Sequence, residues 1–128
     1  MTISRIYDPE IEDFARTIPI IDSSDIKKTR DAVRDYRIHM LSKGFTRPSD
    51  PSIEEAEISI PGPPNAPNVK IRIYTPDNLQ RPAPAYINFH GGGFIFGDLD
   101  SEHARTLAIS KSCQAIAITV DYRLAPEH

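Results

Sequence analysis

The stretch His90-Gly91-Gly92-Gly93-Phe94-Ile95-Phe96-Gly97-Asp98 decides the fold, because it lies between a strand pattern and a helix pattern. Residues 85–89 (AYINF) predict a strand before it, and residues 101–112 predict a helix after it. The expected inward face of this helix consists of Ala104, Leu107, Ala108 and the stem of Lys111. Residues 115–120 (AIAITV) are almost wholly apolar, which is typical of a parallel strand covered on both faces. This order of elements predicts a βαβ unit with a right-handed crossover.

Upstream of this unit, the hydrophobic pattern repeats every two residues nearest to it and about every 3.6 residues further towards the N-terminus. Residues 55–60 and 69–74 alternate between apolar and polar side chains, and a Pro/Gly loop joins them, which predicts an antiparallel strand pair. Residues 24–43 predict a helix capped by Ser23, Ser24 or Asp25. A shorter helix is expected over residues 8–17, with Asp8 as its N-cap.

These elements describe an α/β chain with an incomplete core. We expect an N-terminal helical segment over residues 1–44 and the core over residues 45–128. The strand at 115–120 needs cover on both faces and neighbours at both edges, and no second half of a sheet is present to supply them. The chain is therefore expected to be a partial domain, or to complete its sheet with another chain, including by self-association through an exposed sheet edge.

Composition excludes several classes of function. The net charge of −3 is too small to indicate a nucleic-acid or membrane partner. No stretch approaches the ~20 apolar residues of a membrane helix. Cys113 is the single cysteine, and no signal-peptide pattern is present, so we expect a cytoplasmic protein. No spacing of His, Cys or Asp indicates a zinc site.

The glycine loop is compatible with three kinds of chemistry. Dinucleotide binding needs G-x-G-x-x-G, but counting from Gly91 the sixth position is Phe96 and Gly97 comes one residue late. A P-loop needs Gly-Lys-Ser/Thr, which is absent. An HGGG-type loop after a strand supplies the backbone donors of an oxyanion hole in lipases and esterases. A tight turn without a ligand is the structural alternative.

Two motifs together make a more specific resemblance. The loop from His90 to Asp98, followed by Asp121-Tyr122-Arg123-Leu124-Ala125-Pro126-Glu127-His128, resembles the hormone-sensitive-lipase family of α/β-hydrolases, and the spacing between the motifs also matches. The N-terminal helices resemble the cap segment of that family. The resemblance implies the N-terminal portion of an α/β-hydrolase fold that hydrolyses carboxylic esters, with a Ser-Asp/Glu-His triad and no cofactor.

The resemblance also implies roles for residues of both motifs. Gly91, Gly92 and Gly93 would form the oxyanion loop, with Gly92 and Gly93 the better candidates as donors, and His90 would anchor the loop without acting as the triad base. The other implied residues are Asp121, Arg123 and Glu127 in a polar and ionic network near the site, and Phe94, Ile95 and Phe96 beside an apolar acyl or alcohol pocket.

The nucleophile is not visible in the chain. The family carries it in a Gly-Asp-Ser-Ala-Gly elbow, and none of the serines here lies in Gly-x-Ser-x-Gly. Ser101 is expected to be a helix N-cap, and His103 a surface or capping residue. The chain alone is therefore expected to be inactive towards acyl esters. The alternatives are a non-catalytic ligand-binding or interaction module of the same fold, or a truncated gene product without stable function.

Overall fold

The computed structural model describes residues 8–18, 22 and 24–128, which fall into two units, 1–46 and 47–128. The first unit contains only helices among its described residues, and the second contains the sheet. Whether the first unit is a cap segment stays a prediction. None of the helices found in the described ranges has the length and apolar character that crossing a membrane requires.

The first unit contains α1 (Glu12–Thr17) and α2 (Ile26–Ser42). The prediction that Asp8 caps the first helix is wrong, because its carboxylate accepts from the Glu10 amide at 2.9 Å and residues 8–11 form a turn. Asp25 caps α2 as expected, since its Oδ1 accepts from the Lys28 amide at 2.9 Å. Ser23, another candidate for that cap, lies outside the described residues.

The second unit is built on a mixed sheet of four strands: β1 (Ile53–Ile60), β2 (Val69–Pro76), β3 (Ala85–Phe89) and β4 (Ile116–Asp121). Their order across the sheet is β1-β2-β4-β3. The pairs β1/β2 and β2/β4 are antiparallel, and β3/β4 is parallel. The predicted antiparallel pair and the predicted βαβ unit are both confirmed.

Helix α3 (His103–Cys113) connects β3 to β4 and packs on one face of the sheet. Leu107 is buried as predicted, but the prediction that Ala104, Ala108 and the stem of Lys111 face inward is wrong, because these three residues are exposed. Its polar side chains have partners beyond the helix instead: Ser110 Oγ lies 3.3 Å from the carbonyl of Tyr74 on β2 and donates at 2.9 Å to that of Ala115, just before β4. The buried face of α3 consists of four residues, His103, Thr106, Leu107 and Ser110.

His103 is buried, in contrast to the expected surface position. Its Nε2 lies 2.8 Å from the carbonyl of Pro48, which can only accept, so Nε2 carries the proton. Its Nδ1 then accepts, and both the Tyr74 hydroxyl at 2.8 Å and the Arg47 guanidinium at 2.9 Å reach it. The imidazole therefore joins the segment before β1 to β2 and α3.

The opposite face of the sheet is apolar and more open. On β3, Ile87 is 56% exposed and Phe89 is 64% exposed. Within residues 47–128 the one helix, α3, lies on the other face. The expectation that the strand at residues 115–120 lacks neighbours at its edges is wrong, because β4 lies between β2 and β3 and the edge strands are β1 and β3. Self-association through an edge stays a prediction.

Asp50 joins the turn before β1 to α3. Its Oδ2 lies 2.6 Å from Lys111 Nζ, and its Oδ1 accepts from the Ser52 amide at 2.9 Å and the Ser52 hydroxyl at 2.6 Å. The bonds from Lys111 and Ser52 favour the ionised carboxylate and lower the pKa of Asp50 from 3.8 to about 2.

This lowered pKa predicts a specific acid dependence of stability. A carboxyl group whose pKa is lower in the folded state stabilises the fold above its unfolded pKa, and that contribution is lost as the pH falls from 3.8 through about 2. We expect the free energy of unfolding, measured by urea denaturation across this range, to fall less steeply for Asp50→Asn than for the wild type. Asp77→Asn, which removes an exposed carboxylate after β2, is the control and should keep the wild-type slope. Equal slopes for all three proteins would contradict the assignment.

Candidate active site

The topology brings the two sequence motifs to the same edge of the sheet. The glycine loop (residues 90–98) leaves the carboxyl end of β3, and the segment 122–128 leaves the carboxyl end of β4. These strands are parallel neighbours, and Phe89 pairs with Val120 near the end of both. Because ligands of α/β sheets bind outside the carboxyl ends of parallel strands, this edge is the candidate site.

His90 begins the loop and is 2% exposed. Its Nδ1 donates to the carbonyl of Gly91 at 2.9 Å. Its ring stacks on the ring of Tyr122, with centroids 4.4 Å apart and planes 17° apart. The buried, bonded imidazole is in a position that fits an anchor of the loop and does not fit a solvent-facing base.

The three glycines differ in the partners of their amide groups. The Gly91 N–H donates to Oε1 of Glu102 at 3.1 Å. The N–H groups of Gly92 and Gly93 have no acceptor within the part of the chain that the structure describes. That Gly92 and Gly93 are the better oxyanion donors stays a prediction, with which these amides are compatible. Glu102 is a partner of Gly91 that the sequence did not reveal.

A tight turn shapes the loop. The carbonyl of Gly92 accepts from the amides of Ile95 at 3.1 Å and Phe96 at 3.0 Å. Gly92 has a φ of +128°, and a Cβ there would lie 2.2 Å from the carbonyl oxygen of Phe96. A side chain at this position is thus excluded by both the backbone conformation and the space.

The far end of the loop returns to its start at Gly97. A Cβ on Gly97 would lie 2.0 Å from His90 Nδ1 and 2.9 Å from the carbonyl oxygen of Gly91. The φ of Gly97 is +111°, which also favours glycine. The absence of a side chain at Gly97 therefore allows the imidazole to occupy its buried position.

Arg72 on β2 holds the segment that follows the loop. Its Nη1 donates to the carbonyl of Leu99 at 3.1 Å and to Asp100 Oδ1 at 2.7 Å, and its Nη2 donates to Glu57 Oε1 at 2.6 Å. Burial alone would lower the pKa of Arg72, but the bonds to Asp100 and Glu57 outweigh it and raise that pKa. The guanidinium therefore stays charged and links β2 to Leu99 and Asp100, which lie between the loop and α3.

A cavity of about 330 Å³ lies over the loop. Phe94, which is 75% exposed, lines it, while the half-buried Ile95 and Phe96 do not. That any of these residues belongs to an acyl or alcohol pocket stays a prediction. The sequence did not predict two aromatic residues of this lining, Phe89 and Tyr122. The lining consists of Phe89, His90, Gly91, Gly92, Gly93, Phe94 and Tyr122.

The remaining predicted residues lie around this edge. Asp121 ends β4 opposite Lys70 and is half-buried, whereas Arg123 and Glu127 are exposed. The ionic network proposed for these three stays a prediction. Ser101 is not the N-cap of α3, because its hydroxyl accepts from the Asp98 amide at 2.9 Å in the turn before the helix and Glu102 holds the cap position.

Gly97→Ala should displace His90 and destabilise the second unit. The added Cβ overlaps the imidazole and the φ is unfavourable for alanine, so we expect a loss of about 2–4 kcal/mol in the free energy of unfolding. Gly93→Ala is the matched control: its φ is +61° but a Cβ there meets nothing within 4 Å, so it should cost only about 1–2 kcal/mol. Urea unfolding followed by tyrosine fluorescence measures both. Equal losses would show that the imidazole does not depend on Gly97.

Comparisons with known proteins identify the fold and the relatives of the chain. Residues 86–128 match a family described as having an alpha/beta hydrolase fold. Esterase LipI of Mycobacterium tuberculosis is 40% identical over 84 residues, which are 64% of this chain and 26% of that protein. The arylesterase of Saccharolobus solfataricus is 32% identical over 123 residues, covering 94% of this chain and 38% of that protein.

Solved structures give the same result for the fold. A bacterial heroin esterase superposes with a TM-score of 0.74 at 32% identity, covering 94% of this chain and 37% of that one. An esterase of Pyrobaculum calidifontis superposes with a TM-score of 0.70 at 26% identity, covering 93% of this chain and 36% of that one. The chain thus spans well under half the length of these relatives. The resemblance found in the sequence is confirmed: the chain carries the N-terminal portion of an α/β-hydrolase fold, and its relatives are esterases.

Proposed function

We propose that this chain supplies the oxyanion hole of a serine carboxylic-ester hydrolase. The observation that carries the proposal is the pair of amides at Gly92 and Gly93, which lack partners among the described residues and line a cavity at the carboxyl edge of the sheet. Attack on an ester carbonyl places negative charge on its oxygen. Pre-positioned N–H groups stabilise that charge in the transition state.

His90 supports this site through the loop backbone. Its Nδ1 proton is engaged by the Gly91 carbonyl, and its ring lies under Tyr122. A general base must reach the proton that it removes, and this imidazole is 2% exposed. We therefore assign His90 to holding the loop, and we assign the proton transfers of the reaction to residues outside these 128.

The proposed substrate is an uncharged acyl ester with an apolar group near the loop. Phe89, Phe94 and Tyr122 give the cavity three aromatic walls. These rings offer apolar surface and exclude water from a carbonyl that lies against the glycine amides. The reaction needs no cofactor.

The nucleophile is proposed to come from outside the 128 residues, because no serine among them lies in Gly-x-Ser-x-Gly. The 128-residue chain alone should then release no p-nitrophenol from p-nitrophenyl acetate above the rate of buffer. An oxyanion hole without a nucleophile gives only residual catalysis. Turnover that a serine-directed phosphonate abolishes would overturn this part of the proposal.

A chimera tests the oxyanion role directly. In it, this chain replaces the matched 38% of the Saccharolobus solfataricus arylesterase, which supplies the rest of the enzyme. We expect the chimera to hydrolyse p-nitrophenyl acetate. Gly92→Ala should lower kcat by about 100-fold or more, since it misplaces an oxyanion donor.

The control for this chimera is Gly44→Ala. Gly44 also has a positive φ, +89°, but it lies outside the loop, and a Cβ there meets nothing within 4 Å. The control should keep kcat within about twofold, as expected for a substitution that touches no catalytic group. A folded chimera without activity, or an unchanged kcat in Gly92→Ala, would contradict the proposed function.

A further inference from the structure

We propose that Tyr122 is the positioning residue of the glycine loop: its hydroxyl and its ring together fix the place of His90 and thereby the direction of the Gly92 and Gly93 amides. The structural part of this proposal concerns how the loop is held. Its catalytic consequence rests on the proposed function.

The hydroxyl of Tyr122 forms a direct bond between the two motifs. It donates to the carbonyl of His90 at 2.6 Å. Tyr122 is the first residue after β4, and His90 is the first residue after β3. The bond therefore links the two parallel strands just beyond Phe89 and Val120, where the strand pairing ends. The chain can leave β3 in only a narrow range of directions when this carbonyl is held.

The ring of Tyr122 contacts the loop on both sides of the three glycines. On one side, its centroid lies 4.4 Å from that of the stacked His90 ring and 6.3 Å from that of the Phe89 ring. On the other side it meets the Phe94 ring edge-on at 6.4 Å. One aromatic side chain thus brackets the segment 91–93, and pairs of this geometry are favourable beyond their buried area.

The backbone adds a second link in the same place. The amide of Ala125 donates to the carbonyl of Phe94 at 2.9 Å. Phe94 has a φ of +64°, an unfavourable conformation for a residue with a side chain. The ring contact and the Ala125 bond both hold Phe94 in that conformation, which sets the turn at the end of the glycines.

The loop needs such external contacts because its glycines have no side chains of their own. Glycine loses more conformational freedom on folding than any other residue, and an oxyanion donor is effective only when it is already in place. The contacts that hold the segment 91–93 must therefore come from its ends. Tyr122 touches both ends.

Three variants separate the parts of this proposal. Tyr122→Phe removes the bond to the His90 carbonyl and keeps the ring. Tyr122→Leu removes the ring contacts as well. Tyr86→Phe is the matched control, because the Tyr86 hydroxyl also makes one bond, at 3.1 Å to Asn88 Oδ1, on strand β3 away from the glycines.

Amide hydrogen exchange of the 128-residue chain reads out the loop without any ester. The reporters are the amides of Ile95 and Phe96, which donate to Gly92, and that of Ala125. In Tyr122→Phe we expect their exchange to accelerate about fivefold, as the loss of one neutral hydrogen bond implies. Tyr122→Leu should accelerate it about tenfold or more, because the stacking is lost as well. Tyr86→Phe should leave the three amides unchanged.

Exchange in β4 shows whether an effect is local. The amides of β4 should exchange at the wild-type rate in Tyr122→Phe. Unchanged exchange at Ile95, Phe96 and Ala125 in Tyr122→Phe would overturn the proposal. Unfolding of Tyr122→Phe would also overturn it, because the Tyr122 hydroxyl would then serve the fold as a whole. An equal acceleration of the three amides in Tyr86→Phe would overturn it too, because the effect would then not be specific to Tyr122.

The arylesterase chimera tests the catalytic consequence. Tyr122→Phe should lower kcat for p-nitrophenyl acetate about tenfold with KM within twofold, because the oxyanion donors act in the transition state. A change in KM alone would overturn the positioning of the donors. If the unmodified chimera is inactive, the proposed function fails while the exchange result still decides how the loop is held.

Discussion

The parallel pairing of β3 and β4 is the constraint on which the candidate site depends. It places two segments that are far apart in the sequence at one edge of the sheet, where His90 and Tyr122 meet. A parallel pair needs a long crossover, and α3 supplies it by packing on one face of the sheet. The buried bonds of His103 and Ser110 on α3 with Tyr74 on β2 therefore act on the site as well: they fix the crossover that keeps the two strands side by side.

A glycine loop gives the backbone freedom to present its amides, and that freedom has an entropic cost. The structure offsets it with contacts at the boundaries of the loop. Tyr122 donates to the carbonyl of His90 at the start of the loop, and Glu102 accepts from the amide of Gly91. Arg72 bonds to Leu99 and Asp100, which follow the loop. Gly97 allows the loop to close on His90. What remains without a partner among the described residues is the pair of amides with the proposed catalytic role.

The sequence predicts those parts of the molecule that depend on local pattern. The strands of period two, the cap at Asp25 and the glycine loop all follow from neighbouring residues. The prediction of the buried face of α3 was wrong because apolar periodicity favours Ala104 and Ala108. The helix instead buries His103 and Ser110, which both bond to Tyr74 on the distant strand β2. Glu102 and Tyr122 were missed as partners of the loop for the same reason: their contacts with Gly91 and His90 depend on the tertiary fold.

The arrangement also limits what this chain can contribute to a reaction. Amides that point at a developing negative charge act on the transition state and bind the neutral ester weakly, so their effect falls on kcat. In oxyanion holes each donor contributes on the order of 3 kcal/mol, which is a large factor only when a nucleophile has begun the attack. The buried His90, with its Nδ1 proton held by Gly91, is suited to keeping the donors in place. Charge stabilisation and nucleophilic attack are thus separable tasks, and under the proposed function the residues of this chain serve the first.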